Sequence, residues 1–207
     1  MMLAMTTTPL LPPDLPTLGL PPTSAAVMDR LGVNRVQVDK LTAAGLLRVA
    51  GTHGRTPFYD RHDLDALERR PYADPGDDVG IVVHVGGPVP DPDPVGNDRP
   101  HVGWHAAGVS QNRATDLLGI TCWWNVGTRL AAALVGGIFL ADVSSFIVEA
   151  QRITGWDEHP TRPGFIRFHV ADLAPEVAGR YLGTRITPAP GAPWQHLTRP
   201  TPAQVAR

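Results

Sequence analysis

The chain has 207 residues, 43 % of them hydrophobic and 18 % charged, so it can bury a sizeable core and is not disordered throughout. Its single cysteine, Cys122, excludes an internal disulfide scaffold and a cysteine-rich zinc ribbon, and fits a reducing compartment. The formal charge of −2 at pH 7 favours no partner by itself; nearly all of the 18 basic residues are arginine, and Lys40 is the lone lysine.

Residues 1–20 are rich in proline, threonine and leucine, show no period, and read as a flexible tail. They have neither a basic n-region nor a long apolar core, so they are not a secretory signal. The 21 glycines and 22 prolines make up about a fifth of the chain and concentrate in the tails and in two stretches, 71–78 and 87–100. These divide the chain into a first domain at 21–72, a linker at 73–78 and a second domain at 79–197 with a long loop at 87–100. Residues 198–207 form a second flexible tail. The most apolar window, Leu130 to Ala150, contains Asp142, Glu149 and Ser144-Ser145, which a membrane span would not normally carry. The expectation is a cytoplasmic protein with no membrane contact.

In the first domain Thr23 or Ser24 caps a helix beginning near Ala25, with Ala26, Val27 and Leu31 on its apolar face and Gly32 ending it. Asn34 caps a second helix, Arg35 to Ala44, whose Val36, Leu41 and Ala44 are expected to face the core; Gly45 ends it. Leu46, Leu47 and Val49 then read as a strand, AGTHGRTP as a turn, and Phe58-Tyr59 as the returning strand. Asp60 or His62 opens a third helix through Leu64 and Leu67. Helix, turn, helix, hairpin, helix is the order of a winged helix-turn-helix. The residues TSAAVMDRLGVNRVQVDKLTAAGLLRV, followed by GRTPFYDRHDLDAL, resemble the DNA-binding domain of the MerR and phage-excisionase superfamily over roughly 50 residues.

That resemblance implies a duplex DNA partner. On physical grounds the second helix offers Asn34, Arg35, Gln37 and Lys40 to a major groove, where arginine reads guanine and asparagine or glutamine reads adenine. His53 and Arg55 at the hairpin tip are candidates for phosphates or the minor groove, and Arg61 for a phosphate. From 21 to 72 there are eight basic and six acidic side chains, a modest excess for a DNA binder. The competing reading is a protein-interaction module, because Asp39 on the same helix would repel phosphate.

The second domain reads as five or six short strands with two or three small helices, a compact α+β barrel. GIVVHVGG is a strand, HVGWHAAGVSQNRATDLLG a loop leading into a helix, TCWWNV strand-like, and TRLAAALVGG a short helix. IFLADV and FIVEAQRITGW form a hairpin through Ser144-Ser145, and GFIRFHV alternates as a strand. PEVAGRYLGTRI is a helical turn feeding a last strand. WWNVG, QRITGW, IRF and YLGTRI are similar to the PUA-like fold of the EVE/ASCH-type group, which implies a pocket that reads a nucleobase. The chain departs from that group at Asn125, where a basic residue is often found. Trp104, Trp123, Trp124 and Trp156 supply the flat faces that stacking on a base or ligand needs. The alternative is that they fill the barrel, and Trp123 and Trp124, adjacent on a strand, must face opposite sides.

No chemistry motif accompanies these residues. His84, His101 and His105 are the one conceivable three-histidine set, but Pro100 and Gly103 argue against a helix there. HExxH, P-loop and GxSxG patterns are absent. Asp142, Glu149, Asp157 and Glu158 are expected to be solvated, and Cys122 to be a small buried hydrophobe. The reading is therefore no enzyme, no cofactor and no metal. The chain is expected to be a sequence-specific binder of double-stranded DNA, a transcriptional regulator or a phage or mobile-element control protein, with a barrel that senses a ligand or nucleic acid. The alternative is a recognition protein for modified or foreign nucleic acid in a defence or restriction setting. No sustained heptads are present, so any self-association proceeds without a coiled coil.

Overall fold

The computed structural model describes residues 21–187 and 191–197; the tails expected at 1–20 and 198–207 lie outside them. The described chain is mixed α+β, with six helices and a nearly closed, barrel-like sheet of six strands.

Helix α1 (Ser24–Leu31) starts at Thr23, whose hydroxyl accepts from the Ala26 amide, and stops at Gly32, which takes the left-handed conformation that a side chain disfavours. Helix α2 (Arg35–Ala43) opens with a capping box: Asn34 accepts from the Gln37 amide, and the Gln37 side chain accepts from the Asn34 amide. Its buried face is Val38 and Leu41, not Val36, which is 63 % exposed. Val36 lies five residues from Leu41, about 140° around a helix, whereas Val38 lies three residues away on the same side. Strands β1 (Val49–His53) and β2 (Thr56–Tyr59) form an antiparallel hairpin. Leu46 and Leu47, expected in the first strand, belong to the turn before it, and Leu47 is buried beneath. Helix α3 (Arg61–Glu68) is capped by Asp60.

Ion pairs clamp α3. Arg48 Nε lies 2.8 Å from Asp63, and Arg30 bonds Asp65 at 2.6 Å and also Glu68. Hydrogen bonds from these guanidinium groups hold the Asp63, Asp65 and Glu68 carboxyls below their ordinary pKa. Stability from such groups is present above the usual carboxylate range and is lost as pH falls through the lowered values. The expected result of an acid titration is loss of helical signal below pH 4. Arg48→Ala should move that loss to higher pH, and an unmoved acid midpoint would contradict the clamp.

The second part comprises β3 (Gly80–Val85), β4 (Val89–Pro90), β5 (His101–Val102), α4 (Arg113–Thr121), β6 (Trp124–Asn125), α5 (Thr128–Ala133), β7 (Ile138–Val143), β8 (Phe146–Glu158), β9 (Phe165–Asp172), α6 (Pro175–Ala178) and β10 (Trp194–His196). The sheet runs β10-β3-β7-β8-β9-β6, antiparallel except for the β3–β7 pair. Its two edges come together where Trp194 Nε1 on β10 donates to the Asn125 carbonyl on β6 at 3.0 Å. The β7–β8 hairpin turns through Ser144 and Ser145, both at positive φ, as expected for a tight two-residue turn. The expected last strand from YLGTRI is replaced by a cover: Tyr181 and Ile186 pack with Leu173 and Leu197 on the outer face formed by Val82, Leu140 and Ile147. The 87–100 loop is closed by β4 pairing with β5 and organised by buried Asp91, which accepts from Arg99, Asn97 Nδ2 and the Asp93 amide.

The inner core is continuous with the N-terminal helices. Val27, Leu31, Val38, Leu41 and Leu64 belong to the same buried cluster as Val83, Phe139, Ile153 and Phe168. Hydrogen bonds cross the junction, among them Ser144 Oγ to the Gln37 carbonyl (3.0 Å), the Ala106 amide to the Ala44 carbonyl (2.9 Å), Arg185 Nη2 to the Leu31 carbonyl (2.7 Å) and the Arg185 amide to the Pro71 carbonyl (2.7 Å). Among the described residues, no helix is long and apolar enough to cross a membrane.

Candidate functional site

The N-terminal candidates divide by what their side chains already do. Asn34 and Gln37 are occupied by the capping box. Arg35 is half exposed and bonds Asp39 (3.1 Å) and Ser24 Oγ (2.7 Å). Lys40 is exposed, with its stem near Gly86 on the barrel. His53 and Arg55 are exposed at the hairpin tip, and with Lys40 they make no ion pair among the described residues. Arg61 is exposed at the start of α3.

The four tryptophans do not share a pocket. Trp123 Nε1 donates to the Asn97 carbonyl (2.8 Å), its ring meets His159 edge-on at 4.9 Å, and the Arg167 guanidinium sits over it. Trp124 Nε1 donates to the Ile120 carbonyl (2.7 Å) and its ring packs on the core. Trp156 packs on the core opposite Phe168. Trp123 anchors the 87–100 loop, and Trp124 and Trp156 pack on the core, as large amphipathic rings do in a small barrel. Only Trp104 of the four lines the cleft beside α4.

That cleft, about 470 Å³, lies between the 103–111 segment, α4 and β8. The segment is pinned at both ends. The Gly103 amide bonds the Gly119 carbonyl, the Trp104 amide bonds the Gly86 carbonyl, and the Ala106 amide reaches Ala44 at the end of α2. Farther along, Asp116 on α4 accepts from the Val109 and Ser110 amides. Leu117, Ile120 and Val148 give the cleft apolar walls.

Its polar end is built by a bulge in β8. Asp142 pairs with Ile147 but Ala141 pairs with Glu149, so Val148 is the extra residue. Glu149 and Gln151 stand opposite Ala141 and Phe139 and share their inward face. Both are buried, at 7 % and 2 % exposure. Arg113 Nη2, from the first turn of α4, lies 3.1 Å from Glu149 Oε1, and Gln151 Nε2 donates to the same oxygen at 2.8 Å. Gln151 Oε1 is buried with no partner. The Glu149 contact raises the Arg113 pKa. A polar pair inside an apolar barrel is costly unless its hydrogen bonds are met; Glu149 lines the cleft, while its neighbour Gln151 does not.

The expectation that the hairpin acids are solvated fails for Glu149 and also for Asp142. The latter is 1 % exposed and bonds His84 Nδ1 (2.7 Å) and the Ser145 amide (3.1 Å). Its position on the β7 face covered by residues 173–187 explains the burial. The three histidines lie apart: His84 on Asp142, His101 against Gly119, and His105 against Gly45. Among the described residues no group of three or more metal-type side chains forms. Burial pushes the Cys122 thiol up to about 11, so it is not a thiolate at neutral pH. Sequence reasoning missed Arg113, Asp116 and Gln151. The readable signal was Glu149 and Gln151, two polar residues at strand spacing on a face otherwise apolar. No family model, no curated protein and no solved structure matches this chain.

Proposed function

We propose that the chain binds double-stranded DNA through α1–α3 and the β1–β2 hairpin, and senses a small ligand or nucleic-acid determinant through the barrel. In this reading the N-terminal half of α2 enters a major groove with Arg35 and Lys40, and the hairpin tip grips the backbone with His53 and Arg55. The observation that carries it is the hairpin: every residue of β1 is exposed, and the tip holds basic side chains without ion pairs. An exposed two-stranded hairpin adds little to a core, and a basic tip suits a polyanion. Regulation of transcription or of a mobile element is the setting that suits such a protein. Trp104 in the cleft wall supports a second reading, recognition of a modified base by the barrel.

The test is selection from random duplex DNA, followed by anisotropy titrations at two salt concentrations. Arg55→Ala should weaken binding on all sequences and reduce the salt slope by about one. Arg35→Ala should cost about 1–3 kcal/mol on the selected site and relax its preference. Failure to bind any duplex at low salt would overturn the proposal. Binding that requires a modified base and is lost in Trp104→Ala would favour the second reading.

A further inference from the structure

We infer that the cleft beside Trp104 binds a small organic cation, an amine or amidine on a flat apolar body, and that its occupancy loosens or tightens the hold of the barrel on α2. The second step carries forward the sensing role proposed above; the site and its grip on α2 do not need DNA. The chemistry of the polar end decides the ligand class. Glu149 is a buried carboxylate in the cleft lining, where Arg113 Nη2 and Gln151 Nε2 donate to it. A carboxylate calls for N–H groups. The present partner of Glu149, Arg113, has a side chain 61 % exposed, so an entering amidine can replace one guanidinium N–H with its own. An anionic ligand would face Glu149 and Asp116, with one arginine, Arg113, and the His105 imidazole as the basic groups of the lining. Trp104, partly buried against the core, lines the cleft and brings an aromatic side chain to it, a partner for a flat body or a positive charge. Leu117, Ile120 and Val148 complete an apolar wall, and the volume suits a small molecule.

The coupling follows from the same segment. Trp104 and His105 line the cleft, while the next residue, Ala106, donates to the last carbonyl of the α2 turn, and His105 rests against Gly45. A ligand that moves Trp104 therefore acts on the C-terminal end of the candidate recognition helix within two residues.

The probe is benzamidine, titrated calorimetrically into the full chain, with benzoate and benzyl alcohol as controls. Benzamidine should bind one-to-one and both controls at least about tenfold more weakly. Glu149→Gln should reduce benzamidine affinity about tenfold or more, with a melting check that the variant folds. Arg113→Ala, at an exposed position, should keep or tighten binding because Glu149 loses its competitor. Hydrogen exchange of the 41–47 amides should change on saturation with benzamidine. No binding, stronger binding of benzoate, or insensitivity to both variants would overturn the site. Unchanged exchange at 41–47 would overturn the coupling, whatever the protein does with DNA.

Discussion

Gly87→Val is expected to lower the melting midpoint of the whole protein, not of one half. A β-carbon at Gly87 would sit 2.4 Å from the Ala43 β-carbon and within 2.8 Å of its backbone carbonyl group. Those are atoms of the last helical residue of α2, which cannot swing aside as a flexible side-chain tip could. Relief requires the end of α2 to lift from the barrel, stretching the bonds from Ala106 and Ser144. Overpacking of this kind costs about 1–3 kcal/mol, with the β-branched valine toward the upper end. For a chain of this size that corresponds to roughly 3–10 °C in Tm. Gly51→Ala is the control, because a β-carbon there meets nothing within 4 Å and the backbone is in an ordinary conformation. Calorimetry should show one cooperative transition for the wild-type chain, because one buried cluster spans α1–α3 and the sheet. Two resolved transitions, or a Gly87→Val melt matching the wild type, would refute the docking described here.

Under the proposed DNA-binding reading, the junction also decides how a duplex would approach α2. Lys40 runs past Gly86, and Ser144 reaches Gln37, so the barrel stands beside the helix. In that reading, a duplex would meet Arg35 and the hairpin tip on the side of α2 away from the contacts of Gln37, Lys40 and Ala43 with the barrel. Contacts along the helix, from Gln37 to Ala44, give the cleft a mechanical route to it that separate, loosely linked domains would lack.

The helices and hairpin between residues 21 and 70 were readable because local rules governed them. Thr23, Asn34 and Asp60 cap helices where a side-chain oxygen is needed, and Gly32 and Gly45 end them where φ must be positive. Val36 departs from the expected face because it lies about 140° around the helix from Leu41, and residue type alone does not carry that angle. In the barrel, alternation in GFIRFHV and the Ser144-Ser145 turn were sufficient for β9 and the β7–β8 hairpin. The candidate site was not readable in the same way. Trp123, Trp124 and Trp156 looked like a pocket by residue type, but their partners, Asn97, Ile120 and Phe168, include contacts far away in sequence. Glu149 and Arg113 are joined by a bulge and a helix start that no local pattern links. The polar end of the cleft is therefore a product of tertiary structure, built from β8 and α4 together.

Stability should fall on the alkaline side through one thiol. Cys122 is buried beside Thr121, and burial raises its pKa from an ordinary value of 9.0 to about 11. The native state then keeps a proton that the unfolded chain gives up, so unfolding gains as pH rises above 9. The slope is about 1.4 kcal/mol per pH unit while the two states differ by one proton, and it ends near pH 11 when the native thiol also ionises. Tyr181, donating to Asp78 in a buried setting, has its pKa raised as well. The unfolded tyrosine ionises near 10, so the interval from pH 9 to 10 is dominated by the cysteine. Urea unfolding at pH 8, 9 and 10 should show a loss of roughly 1 kcal/mol or more across that interval. Cys122→Ala should flatten that loss, although it starts from its own lower or higher stability. A thiol reagent at pH 8 should be silent toward the folded protein and react once urea unfolds it. An equal alkaline loss in Cys122→Ala would assign the effect elsewhere and remove the buried thiol as its cause.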